Sequence, residues 1–236
     1  MKKNISIFNI FFMQNFQQFP VFEKYSTHDR REVLQAFDFA KKAHTGQKRA
    51  SGEDYISHPL AVSHILLEHK AVPDLVVAGL LHDVIEDTPV GFEEVHHEFG
   101  FLVAKIVNTL SKSYKLSVVH EDDKKRQILH HQFLETIKDP KAAMVKVADR
   151  LHNMRTLDFK KSDRQKVKAL ETIKMYVPLS SEMGLLEISD ELSQLSQKYL
   201  SGEEFENGLL LQKKYKQEIE EKGYHKNALS KCVFQF

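Results

Sequence analysis

The chain of 236 residues carries 42% hydrophobic and 28% charged side chains, the balance of a soluble globular protein with room for one large or two small domains. A formal net charge of +1 excludes a bulk electrostatic pull toward nucleic acid or an anionic membrane surface. The single cysteine, Cys232, excludes an internal disulfide and a thiolate metal site, so the expected compartment is the cytoplasm.

Only 9 Gly and 6 Pro favour long helices over a many-turned β fold. The first residues combine a basic start with a short apolar run, Ile5 to Met13, that alternates weakly like a strand. No small-residue cleavage site follows, the first alanine being Ala36, and the run is too short to span a bilayer. Residues 1–25 are therefore expected to form an arm that packs on the domain or on a partner chain, or else to precede a natural start at Met13. Ser26-Thr27 offers an N-cap for a helix over residues 28–44, with Val33, Phe37 and Ala40 at helical spacing. A loop over 45–57 leads to a helix begun by Pro59, and Pro73 begins the next. That helix is expected to run unbroken to Thr88, where Pro89 and Gly91 stop it. Two further helices follow, around Phe92 to Phe99 and over residues 101–110. Residues 111–121 are polar and expected to be irregular, and 122–137 to be a long exposed helix. Asp139-Pro140 starts a helix with Ala143, Val147, Leu151 and Met154 on one stripe. Helices over 163–176, 187–200 and 203–222 complete an all-α fold of about ten helices. One domain over residues 26–200 is expected, with 201–236 as a helical extension packing on it.

The stretch Gly79 to Thr88, GLLHDVIEDT, turns from apolar to ionisable within one helix. At 100° per residue, His82, Asp83, Glu86 and Asp87 share one broad edge. Three carboxylates at a helix C-terminus repel one another and oppose the helix dipole. A divalent cation among them would relieve this, and a solvated helix end is the alternative. His58 stands at the start of the preceding helix, and Asp149 interrupts a later apolar stripe between Val147 and Leu151. Two histidines and two aspartates make a nitrogen–oxygen set with open positions, suited to Mn²⁺, Fe²⁺, Zn²⁺ or Mg²⁺. Spacing alone does not single these residues out among 13 histidines.

The His82-Asp83 pair, with His58 before it and Asp149 after it, resembles the signature of HD-superfamily metal phosphohydrolases. The strings GQKRASGEDYISHPL, LLHDVIEDT and VKVADRLHNMRTL, and more loosely ETIKMYVPLSSEMGL, resemble the hydrolase domain of RelA/SpoT-type alarmone enzymes. The likeness covers about residues 33–200, and ADRLHNMRTL is its most specific part. Long members of that family continue into a nucleotide-synthesising domain; this chain resembles a small, stand-alone alarmone hydrolase.

The resemblance implies an HD-domain helical fold and Mn²⁺-dependent hydrolysis of the 3′-pyrophosphate of ppGpp or pppGpp, giving pyrophosphate and GDP or GTP. It assigns His58, His82, Asp83 and Asp149 to one Mn²⁺, and Glu86 and Asp87 to the attacking water. It assigns Arg49 to the base, Lys112 to the phosphates, Asn153 and Thr156 to nucleotide contacts, and Tyr176 to the sugar and 5′ side. His44 and His152 are read as satisfied structural histidines, and Arg150 and Arg155 as ion-pair partners within their own helix. The implied partner is a nucleotide, not a nucleic-acid polymer or a membrane. Residues 5–12 and the charged helix after Glu203 are candidates for a chain–chain contact in a homo-oligomer.

Three departures from the family pattern fall outside the metal and catalytic positions. A basic residue after the arginine is Ala50 here, a proline before the tyrosine is Asp54, and the final string reads Val-Pro-Leu-Ser-Ser-Glu-Met. They leave an adenosine alarmone or NADPH as the alternative substrate. A non-catalytic alarmone-binding module is a third reading.

Overall fold

The computed structural model describes residues 16–114 and 138–221. The N-terminal apolar run, the helix expected over 122–137, Cys232 and the end of the tail lie outside them. Every regular element among the described residues is helical, as the scarcity of glycine and proline predicts. The described residues fall into two units.

The first unit comprises residues 16–47 and 54–114. Its helices are α1 (Pro20–Lys24), α2 (Thr27–Ala43), α3 (Ser57–Glu68), α4 (Pro73–Leu81), α5 (Val84–Asp87) and α6 (Phe92–Tyr114). Ser26 caps α2 by accepting from the Asp29 amide, while the Asp29 carboxylate accepts from the Ser26 amide, a reciprocal box that satisfies two otherwise orphaned donors. α4 is apolar all round and every residue from Leu75 to Leu81 is buried, as a central helix must be. It packs on α2, α3 and α6. A Cβ on Gly79 would stand 2.5 Å from Leu66 Cδ1 and 3.5 Å from Val62 Cγ1, so the missing side chain is what lets α3 and α4 approach. The turn between them puts Lys70 at φ 56°. There the Ala71 amide donates to the Leu66 carbonyl and the Lys70 amide to the Leu67 carbonyl, a Schellman closure that glycine usually serves.

Two boundaries differ from the sequence expectation. The helix expected from Pro73 to Thr88 is interrupted at His82-Asp83, which separates α4 from α5. At the interruption His82 Nδ1 lies 2.8 Å from the Gly79 carbonyl, and the next helix begins on the Asp83 carbonyl, which accepts from the Glu86 and Asp87 amides. Residues 111–114, expected to be irregular, continue α6. The Ser111 hydroxyl donates to the Asn108 carbonyl at 3.0 Å and so is satisfied inside the helix. The expected break near residue 100 is present, with Gly100 at φ 79°, ψ 167° kinking α6, a conformation open essentially to glycine.

The second unit comprises residues 48–53 and 138–221. It contains α7 (Pro140–Arg155), a 3₁₀ turn (Leu157–Phe159), α8 (Ser162–Glu171), a π-type turn (Thr172–Tyr176), α9 (Val177–Glu182), α10 (Leu186–Gln197) and α11 (Gly202–Glu221). Asp139 caps α7 by accepting from the Lys141 amide at 3.0 Å. The π turn ends where Pro178 enters α9. Proline has no amide to give the carbonyl four residues back and crowds it, and the turn ahead widens, with the Val177 amide reaching the Thr172 carbonyl. α11 packs on this turn and on α9.

Arg150 and Arg155 form ion pairs, but not within their own helix. Arg150 Nη2 reaches Glu171 Oε2 of α8 at 2.9 Å, and Arg155 Nε reaches Glu191 Oε1 of α10 at 2.7 Å. Burial opposes the Arg150 charge, yet Tyr176, Glu171 and Asp149 hold it firmly protonated. Burial likewise opposes the Glu171 charge, but Arg150 and Lys168 hold its carboxyl down to about 2. Among the described residues, no helix is long and apolar enough to cross a membrane.

Candidate metal centre

The short turn between α3 and α4 makes them antiparallel neighbours, so the first turn of α3 lies beside the last turn of α4. That brings together two histidines 24 residues apart: His58 Nε2 and His82 Nε2 stand 3.2 Å from each other. Asp83 Oδ2 lies 3.1 Å from His82 Nε2 and 3.5 Å from His58 Nε2. The rings are almost wholly buried, at 2% and 4% exposure, and the Asp83 side chain is 17% exposed. A carbonyl can only accept, so the His82 contact with Gly79 puts a ring proton on Nδ1, and in the neutral ring Nε2 is then the nitrogen that can ligate. Donors around a first-row divalent ion at about 2.0–2.2 Å stand roughly 3 Å apart. Two imidazole nitrogens and a carboxylate oxygen spaced 3.1–3.5 Å fit such an ion.

One turn on, the Glu86 and Asp87 amides both donate to the Asp83 carbonyl, at 3.1 and 2.8 Å. Glu86 is half-buried and Asp87 exposed. The Asp83 and Asp87 carboxylates are joined by a residue that the sequence reading passed over. Tyr55 Oη lies 2.7 Å from Asp83 Oδ2 and 2.9 Å from Asp87 Oδ2. Burial, then the charges of Asp83 and Asp87 and the hydrogen bonds to them, push this phenol far above the usual tyrosine range. It stays a donor. The only signal in the chain was its place three residues before His58 in the same motif string.

His44 is the ring on which Tyr55 rests, with centroids 4.5 Å apart and planes at 25°. Its Nδ1 meets Gln47 Oε1 at 2.8 Å, and Gln47 Nε2 donates to the Asp87 carbonyl at 2.7 Å. The expectation of a fully satisfied His44 is corrected on one side: its buried Nε2 has no hydrogen-bond partner among the described residues.

In the second unit, Asp149 is half-buried on α7 and accepts from Asn153 Nδ2 at 2.5 Å, one turn further along. The Asn153 carbonyl oxygen in turn accepts from Arg49 Nη2 at 3.3 Å. Three of the residues singled out by sequence thus form one chain. Thr156 lies apart from it, its hydroxyl donating to the His152 carbonyl at 3.0 Å at the end of α7. Tyr176 is buried, at 5% exposure, with the Arg150 guanidinium 4.0 Å over its ring. The backbone of Lys112 belongs to α6, and its side chain lies outside the described residues.

The HD-domain family model matches residues 36–186. The chain therefore belongs to the HD-domain family. It is 39% identical over 173 residues to a GTP pyrophosphokinase of Streptomyces coelicolor, covering 73% of this chain and 20% of that protein. It is 37% identical over 190 residues to a guanosine-3′,5′-bis(diphosphate) 3′-pyrophosphohydrolase of Aquifex aeolicus, covering 80% of this chain and 27% of that protein. The chain thus spans between a fifth and just over a quarter of the length of these two relatives. A solved structure of a metazoan ortholog of SpoT, which hydrolyses ppGpp, aligns with a TM-score of 0.47 and 21% identity over 82% of this chain and 96% of that chain.

Proposed function

We propose that the chain is a metal-dependent phosphohydrolase that removes the 3′-pyrophosphate of ppGpp or pppGpp, releasing pyrophosphate and GDP or GTP. The observation that carries this reading is the convergence of His58 Nε2, His82 Nε2 and Asp83 Oδ2, one turn before a pair of carboxylates, Glu86 and Asp87. The name of the Aquifex aeolicus relative, a 3′-pyrophosphohydrolase, supports the substrate class.

In this reading His58, His82, Asp83 and Asp149 hold one Mn²⁺, an ion that suits mixed nitrogen and hard oxygen donors. A divalent cation there supplies charge neutralisation for the phosphoryl oxygens and makes water a stronger acid. Glu86 and Asp87 orient the water and take its proton. Its oxygen attacks the phosphorus bound to the 3′-oxygen, the bond from that phosphorus to the 3′-oxygen breaks, and the 3′-oxygen leaves as a hydroxyl, receiving the proton that the carboxylates took from the water. Arg49, with a flat guanidinium suited to stacking, faces the base. Asn153, Thr156, Tyr176 and Lys112 contribute to nucleotide binding. We read residues 26–200 as the hydrolase domain, 1–25 as an arm and 201–236 as an extension, in keeping with the packing of α11 on α9. The cytoplasm is its proposed compartment, consistent with one cysteine. A second copy of the chain is a proposed partner, with Leu210 and Leu211 exposed on α11.

The test incubates the purified chain and Mn²⁺ with ppGpp, pppGpp, the adenosine analogue and NADPH, and follows pyrophosphate or phosphate release. Release from the guanosine alarmones is expected. Release only from the adenosine compounds would move the assignment to them, and Ala50 and Asp54 would be the first residues to examine. No release from any would leave the binding-module reading.

A further inference from the structure

Tyr55 has one hydroxyl proton and two carboxylate acceptors, Asp83 Oδ2 at 2.7 Å and Asp87 Oδ2 at 2.9 Å. The Asp83 oxygen it holds is the same one that faces both imidazoles. The phenol is held in turn. Its ring lies on His44, His44 is bonded to Gln47, and Gln47 is bonded to the Asp87 backbone. The Tyr55 amide donates to the Gln47 carbonyl at 3.1 Å. Asp87 is therefore gripped twice, at its carboxylate by Tyr55 and at its carbonyl by Gln47, and both grips return to the same loop residue. A ring of contacts of this kind fixes a hydroxyl more tightly than packing alone would.

We propose that Tyr55 is a positioning residue that couples the Asp83 carboxylate to the Asp87 carboxylate, so that the group holding the ion and the group facing the water keep one fixed relation. This rests on the reading of Asp83 as a metal ligand. Hydrogen bonds to a ligating carboxylate set its orientation, and their loss typically costs 10–100-fold in metal affinity or activity.

The experiment titrates the nucleotide-free full chain with Mn²⁺ and follows free ion by electron paramagnetic resonance, in wild type, Tyr55→Phe, Asp87→Asn and the double variant. Phenylalanine keeps the ring that stacks on His44, so a melting temperature close to wild type is expected. Tyr55→Phe is expected to weaken Mn²⁺ binding about tenfold or more. Asp87→Asn is expected to change the affinity at least about threefold less in the phenylalanine background than in the tyrosine background, the signature of coupling. With ppGpp, Tyr55→Phe is expected to lower kcat about tenfold or more with little change in KM. Wild-type Mn²⁺ affinity in Tyr55→Phe, or effects of the two substitutions that simply multiply, would overturn the proposal. Mn²⁺ binding with the expected coupling but no alarmone turnover would sink the substrate assignment and leave the coupling standing. No Mn²⁺ binding by wild type would overturn both.

Discussion

Gly79 governs His82 from both sides of its own peptide. Its carbonyl oxygen meets His82 Nδ1 at 2.8 Å, and its missing side chain lets Leu66 of α3 approach to where a Cβ would be 2.5 Å away. One residue thus sets both the proton position on the imidazole and the spacing of the helices that carry His58 and His82. Gly79→Ala is expected to destabilise the protein by about 1–3 kcal/mol, the usual range for overpacking a filled core. The urea midpoint checks this, and an unchanged midpoint would show that Leu66 gives way freely.

Asp83 and Glu86 are three residues apart with separate proposed duties, and truncation should separate them. Asp83→Ala is expected to lose both bound metal and turnover. Glu86→Ala is expected to lose turnover and keep the metal. Metal analysis of the gel-filtered variants, beside their rates, decides the matter. Near-normal turnover in Glu86→Ala would remove that residue from its role.

His64 gives a pH dependence away from the candidate centre. Its ring lies 5.5 Å from that of Phe16 and 5.0 Å from that of Phe19. Its buried Nε2 has no hydrogen-bond partner among the described residues. Burial pushes the imidazole from 6.5 down to about 4. As pH falls, the unfolded chain takes the proton first, so stability declines between about pH 6.5 and 4 and levels off below. The loss should be roughly 3 kcal/mol. Urea unfolding at a series of pH values should show this slope in wild type and its loss in His64→Leu.

Lys70 occupies a left-handed position at the exposed end of α3, with φ 56°. A side chain there costs roughly 1–2 kcal/mol, partly offset by the greater freedom glycine has when unfolded. Lys70→Gly is expected to raise stability by about 0.5–1 kcal/mol. A fall in the melting temperature would mean that the lysine side chain contributes more than its backbone costs.

The all-helical fold was legible because its signals are local: a serine before a polar turn at α2, prolines opening α4 and α7, a glycine dividing α6. What escaped was decided by single atoms finding partners. Nothing in the string GLLHDVIEDT says that the imidazole will meet the Gly79 carbonyl or that the helix will be interrupted there. Nothing around Ser111 says that its hydroxyl will be satisfied inside α6. The same holds at the candidate centre. His58, His82 and Asp83 were picked out by resemblance to a motif, since spacing does not distinguish them among so many histidines. The convergence of their donor atoms comes from an antiparallel pair of helices, which the sequence implies through the short turn after Glu68. Tyr55 lay within one of the motif strings, yet its bonds to the Asp83 and Asp87 carboxylates, 28 and 32 residues further on, are a tertiary fact. Asn153 was expected to face a nucleotide, and no periodicity could reveal that its amide is also engaged at both ends.

That amide carries a consequence of its own. A carboxamide is flat and stiff, with an acceptor at one tip and donors at the other. Asn153 presents its oxygen to Arg49 and its nitrogen to Asp149, so it works as a lever with a fixed arm. Because the plane is rigid, the positions open to its two tips are not independent. An exchange at Asn153 for aspartate would set two like charges against each other, and one for leucine would remove both of these hydrogen bonds. The placement of the Arg49 guanidinium and the posture of the Asp149 carboxylate are therefore tied through one side chain, and a chain that drifts in one has to accommodate the other.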